Sequence, residues 1–150
     1  MEIKTITLLS AEEYEKCKTI IPQTSWWWLK TPYLNDKVPY FDDNDCVRVV
    51  FDNVLDYNAC DFNHAGVRPV GIFNIELTSP MFWHKSEALI GTKMQYGNYN
   101  WTIFNIQNGE LYALCDKNIA KRRFDSTSNV WESSELKTWL ETEGVKLITT

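Results

Sequence analysis

Cys60, Asp61 and His64 form the tightest grouping of thiol, carboxylate and imidazole in the chain. A thiol beside an imidazole is the start of a nucleophile–base pair, and the same residue types make a corner of a metal site. The chain has two histidines in all, His64 and His84, and shows no oxyanion-hole pattern, so the grouping is not read as catalytic. Asp42-Asp43-Asn44-Asp45 is the densest run of oxygen donors. Calcium is bound by such side chains together with backbone carbonyls. The spacing is not that of an EF-hand loop, and no glycine or glutamate stands where one is needed, so a solvated turn is expected, with no metal and no other cofactor. The six glycines are scattered, with no GxG and no GK[ST] to cradle a phosphate. Lys121-Arg122-Arg123 could touch a phosphate but reads more simply as wet surface. Arg68, between Val67 and Pro69, has two readings. It either pins two loops through carboxylate or carbonyl bonds, or grips an anionic ligand.

The stretch at 35–64 has a different character, being rich in Asp, Asn, Tyr and Phe. Loops of this composition on a rigid scaffold act as binding surfaces. The aromatic rings supply contact area, and Asn and Asp supply adaptable hydrogen bonds. The expected ligand-binding set is therefore Tyr40, Asp42, Asp43, Asp45, Phe51 and Tyr57, with Arg68. The expected function is non-enzymatic: a module that presents this stretch to a protein or glycan ligand. A competing reading is a small acidic inhibitor that occupies a host enzyme or defence complex by charge mimicry.

Composition sets the frame for both. The chain has 150 residues, 44% hydrophobic, with seven tryptophans. That suits one globular domain with a sizeable core. Fifteen Lys+Arg against 20 Asp+Glu give a net charge of −5, which argues against nucleic acid as a partner. No apolar run approaches the ~18 to 20 residues that span a bilayer, and residues 1–5 alternate polar and apolar without a signal-peptide core. No membrane association and a cytoplasmic location are expected. The four cysteines, Cys17, Cys46, Cys60 and Cys115, are scattered without a CxxC pair and read as reduced, buried small hydrophobes.

The elements that must position these residues centre on Ser25-Trp26-Trp27-Trp28-Leu29-Lys30-Thr31-Pro32. In an extended strand Trp26 and Trp28 point to one face and Trp27 to the other, so the segment needs cover on both sides. Before it, residues 3–9 read as a strand. Ser10 with Glu13 forms a capping box for a helix that runs to about Ile20 and stops at Pro22. After it, 46–51 and 54–57 are short strands, and 67–77 is a strand pair or one bent strand. Residues 78–86, with Pro80, connect two unequal parts of one domain, 1–80 and 88–150. Residues 100–106 and 110–115 form a hairpin about Asn108-Gly109. Residues 131–143 read as an amphipathic helix packing Leu136, Trp139 and Leu140, with Gly144 as its C-terminal cap.

Three segments carry a resemblance. Leu8-Leu9-Ser10-Ala11-Glu12-Glu13-Tyr14, then Trp26-Trp27-Trp28-Leu29-Lys30-Thr31-Pro32, then Gly66-Val67-Arg68-Pro69 resemble the hallmark motifs of the DUF6273 domain family of phages and gut Firmicutes. Gly97, Tyr99, Trp101, Phe124-Asp125 and residues 131–140 fit its closing pattern. Lys30 departs from it by standing where the family usually has arginine, and lysine lacks that planar two-pronged fork. The resemblance implies a relation to the C-type lectin and formylglycine-generating-enzyme superfold. The fold class expected is α+β: a C-type lectin-like domain with a twisted antiparallel sheet, two main helices and long irregular loops. It implies a phage or mobile-element origin and no transferable activity. An enzyme of the formylglycine-generating type would need a reactive cysteine pair, and the scattered cysteines offer none at recognisable spacing.

Overall fold

The structure is a computed structural model and describes residues 2–33, 46–74 and 88–150. Within them, ten strands form two five-stranded sheets. The chain opens with β1 (Ile3–Thr7), then α1 (Ala11–Cys17), whose first amides are closed by the expected capping box. Ser10 Oγ accepts from the Glu13 amide at 3.1 Å, and the Ser10 amide donates back to Glu13 Oε1 at 2.9 Å. The tryptophan strand β2 (Trp27–Pro32) pairs antiparallel with β3 (Cys46–Phe51), which pairs with β4 (Val54–Ala59). Two short strands follow, β5 (Gly66–Val67) and β6 (Val70–Asn74).

Beyond residue 87 come β7 (Lys93–Tyr96), β8 (Tyr99–Gln107), β9 (Glu110–Cys115) and β10 (Ala120–Lys121). Asn108 and Gly109 sit at φ of +52° and +75°, the left-handed pair that a two-residue hairpin turn requires. Strand β7 lies on the edge of its sheet and its four residues alternate exposed and half-buried, a pattern too short to mark a strand.

The first sheet runs β1-β6-β9-β8-β7 and the second β10-β5-β2-β3-β4. Each draws strands from both sides of residues 75–87. The expected single antiparallel sheet is thus replaced by two, and the β2–β5 pairing is parallel. The segment expected as one bent strand or a pair is divided between them. β5 lies in the second sheet and β6 in the first, with Arg68 and Pro69 at the crossing.

Two apolar clusters hold the sheets. One contains Trp28, Val47, Val49, Phe73, Trp101 and Ile103 with Leu136, Leu140 and Ile148 from the C-terminal helix. The other contains Trp27, Leu29, Val50, Val70 and Leu114 with Tyr14 and Cys17 of α1. Adjacent residues of the same strand fall into different clusters, as the two-residue strand period dictates. Trp27 and Trp28 are covered on opposite faces, each burial contributing roughly 3 kcal/mol.

The C-terminal helix departs from expectation at both ends. Trp131–Ser133 is a 3₁₀ turn, and the helix proper begins after Ser134, whose hydroxyl accepts from the Lys137 amide at 3.0 Å. Helix α2 (Glu135–Trp139) runs through a π turn (Leu140–Gly144) into α3 (Val145–Thr149). Gly144 is therefore not a cap but a helical residue, at φ −61° and ψ −43°. Its missing side chain matters for packing: a Cβ there would stand 2.8 Å from Leu140 Cδ1.

Candidate binding site

At one end of the second sheet four segments converge on an open cleft of about 600 Å³. The approach to β2 supplies Gln23, Thr24, Ser25 and Trp26. The β3–β4 turn supplies Phe51, Asp52 and Asn53. The entry to β5 supplies His64, and the end of β10 supplies Lys121. Register explains the meeting. Lys121 lies opposite Gly66, Gly66 opposite Trp27, and Trp27 opposite Val50, so the next residues outward along these strands share one rim.

The cleft's Phe51, Trp26 and His64 belong to a row of rings linked through Phe62. Phe51 meets Trp26 edge to face at 4.4 Å between centroids, Trp26 meets Phe62 at 5.1 Å, and Phe62 meets His64 at 5.4 Å. Phe51 remains 41% exposed, unusual for so large an apolar side chain. Each contact of this kind adds about 1 kcal/mol beyond the area it buries. The Trp26 indole N–H is buried without a hydrogen-bond partner among the described residues. Asn118 braces the same loop, its Nδ2 donating to Trp26 O at 3.1 Å and to Ser25 O at 3.3 Å. Gly66 makes room for that brace, because a Cβ there would run into the Asn118 side chain.

The turn is fixed by backbone geometry. Asp52 and Asn53 both have positive φ, +49° and +66°, a conformation Asp and Asn adopt more readily than other side-chain-bearing residues. Tyr14 Oη donates to Asn53 O at 3.1 Å and ties the turn to α1. A second cleft of about 510 Å³ lies between α1 and β8, and several of its polar groups are already engaged. Glu13 serves the capping box, and Lys16 pairs with Glu12 at 3.3 Å.

The structure divides the expected ligand-binding set. Phe51 lies in the cleft. Tyr57 does not: it is the cross-strand partner of Arg48, three residues from Phe51 along β3, and so faces the other side of the sheet. There it stacks on Tyr33 at 4.1 Å, nearly coplanar at 6°, with Arg48 4.6 Å above the Tyr33 ring. Arg68 is buried at 1% exposure. Its Nε donates to Cys115 O at 2.6 Å, an Nη donates to Pro22 O at 2.8 Å, and the guanidinium lies 4.8 Å over Trp27. Burial lowers its pKa to about 10, so it stays charged at neutral pH. This is the loop-pinning role of the two readings, made through carbonyls. Tyr40, Asp42, Asp43 and Asp45 lie outside the described residues, as does the acidic run weighed for calcium. Among the described residues no group of three or more His, Cys, Asp and Glu is placed to hold a metal.

Cys60 and His64 part company. Cys60 is buried in the core, while His64 is exposed on the cleft rim. All four cysteines are buried and none forms a disulfide. Burial raises the Cys17 and Cys115 thiols to about 11, which makes them poor nucleophiles. The basic run separates as well. Arg122 lies 4.8 Å over the Trp139 ring, Arg123 pairs with Glu135 at 2.7 Å, and Lys121 alone of the three reaches the cleft.

Reading along the sequence missed Gln23, Thr24, Ser25 and Asn118. Their only signal was position beside the tryptophans, and β10 gave no strand pattern that would place Lys121 near them. No family model, no curated protein and no solved structure matches the chain. No helix among the described residues is long and apolar enough to cross a membrane.

Proposed function

We propose that the protein is a non-enzymatic binding module of C-type lectin-like architecture whose cleft takes a glycan. The observation that carries this reading is the half-exposed Phe51 ring standing against Trp26 in an open, polar-rimmed cleft. The C–H face of a pyranose is apolar and packs on an aromatic ring, while its hydroxyls need donors and acceptors around the edge. Gln23, Thr24, Ser25, Asn53 and His64 supply both kinds. The cleft is open and shallow, the shape that admits a chain terminus or a flat sugar ring. Its described lining has one carboxylate, Asp52, where sugar hydrolysis by the usual route takes two, so the reading is binding without turnover. The mixed α+β build, with helices packed on the two apolar clusters and the cleft formed by loops at one end of a sheet, supports the architectural part.

A printed glycan array probed with wild type and Phe51→Ala tests the reading. The expected result is binding to a defined set of glycans that falls at least about tenfold in the variant, since a stacked ring contributes on the order of 1 to 3 kcal/mol to a ligand it covers. Phe51 is more than half buried and packs on Trp26, so its removal should lower the melting temperature by a few degrees while the variant stays folded. An array with no wild-type signal, or one that the variant reproduces, would refute it.

A further inference from the structure

The cleft has a charge pattern that a neutral sugar does not use. Asp52 and Lys121 both line it, on the β3–β4 turn and at the end of β10. Neither the carboxylate nor the ammonium has a hydrogen bond or ion pair among the described residues, and they do not pair with each other. On the same described surface several opposite charges are engaged, among them Lys4 with Glu110, Lys93 with Asp116 and Arg123 with Glu135, at 2.7, 2.9 and 2.7 Å. Backbone geometry holds both cleft charges in place, Asp52 by its turn and Lys121 by the pairing of β10 with Gly66. The rings of Trp26 and Phe51 line the same cleft and limit hydration there, which strengthens a pairing with a bound ion relative to open solvent.

We propose that the cleft is built for a zwitterionic ligand, a pyranose whose ammonium pairs with Asp52 and whose carboxylate pairs with Lys121. This rests on the cleft being a sugar site and adds the class of sugar. A ligand with one charge satisfies one side and leaves the other open. A ligand with both satisfies both, and its own net charge of zero costs nothing against the −5 of the chain.

The experiment is a binding titration of the full chain with four probes: methyl glucoside (neutral), glucosamine (cationic), glucuronate (anionic) and muramic acid (both charges). Muramic acid is expected to bind tightest, by about two- to fivefold over each singly charged probe, the range of a partly exposed ion pair. Asp52→Asn, which the positive φ tolerates, should erase its lead over glucuronate. Lys121→Gln should erase its lead over glucosamine. Both side chains are exposed, and an unchanged melting temperature checks that each variant is folded. Equal affinity for all four probes, or a preference set by one charge alone, overturns the zwitterion proposal and leaves the sugar site standing. Failure of all four probes to bind wild type overturns both.

Discussion

The Asp125 carboxylate accepts from three backbone amides, those of Thr127, Ser128 and Glu135, at 3.1, 3.0 and 2.9 Å. The last is the first residue of α2, so one side chain closes a turn and caps a helix. Burial alone would raise the Asp125 carboxyl, but the three amide bonds outweigh it and hold the group below the usual carboxylate range. A native value below the unfolded one means a stability contribution that is complete above about pH 4 and fades as pH falls through the native value. Asp125→Asn keeps the shape but trades one acceptor oxygen for a donor. It should cost about 1 to 3 kcal/mol at pH 7 and less below pH 3, read from urea melts across that range. Arg68 allows a second test. Its guanidinium spans two carbonyls on separate segments, Cys115 and Pro22, and covers Trp27. Lysine offers one point charge in place of a fork, so Arg68→Lys should lose about 2 kcal/mol or more in chemical denaturation, with the fold retained. A fully stable Lys variant would show that the two carbonyls find other partners.

At the scale of elements, the tryptophan triplet divides core from cleft within three residues. Trp27 and Trp28 are buried on opposite faces, and Trp28 Nε1 donates to Arg122 O at 2.7 Å. Trp26, one residue before the strand, is partly exposed in the cleft wall. Alanine at Trp27 or Trp28 should cost about 3 to 5 kcal/mol, as removal of a large core ring does. Alanine at Trp26 should cost less than half of that and remove glycan binding. Thermal melts with an array readout on the same three variants check the division. The strands β3 and β9, the α1 capping box and the Asn108-Gly109 hairpin were all legible beforehand, because each is set by neighbours in sequence. The tryptophan segment was also expected to need cover on both sides, and Trp27 and Trp28 have it. Tyr57 could not be placed that way. Its face depends on a register with β3 that only the folded Asp52-Asn53 turn fixes, and one residue of slip would have put it on the face that carries Phe51.

At the scale of the molecule, the cleft exists only where four segments meet, spread from Gln23 to Lys121. No local pattern marks such a site. The composition of its loop pointed to Phe51, which lines the cleft, whereas Lys121 was read as solvated surface because three adjacent cations look alike in a sequence. The fold sends them to three different environments. The two-sheet arrangement was equally hidden, since the pairing of β2 with β5 and of β5 with β10 joins residues about 40 and 50 positions apart, and such non-local contacts follow topology, not local pattern. What ties the account together is Trp26, whose indole N–H lies buried at the cleft wall with no hydrogen-bond partner among the described residues. The most direct measurement is the ¹⁵N–¹H spectrum of the seven indoles, with the Trp26 signal assigned through Trp26→Phe, during titration with a pool of glucosides, amino sugars and muramic acid. A sugar site at this cleft predicts that the Trp26 resonance moves and saturates while those of Trp28 and Trp101 stay, and that Phe51→Ala abolishes the movement. A pool that leaves Trp26 unmoved, or that shifts the buried indoles instead, would contradict it.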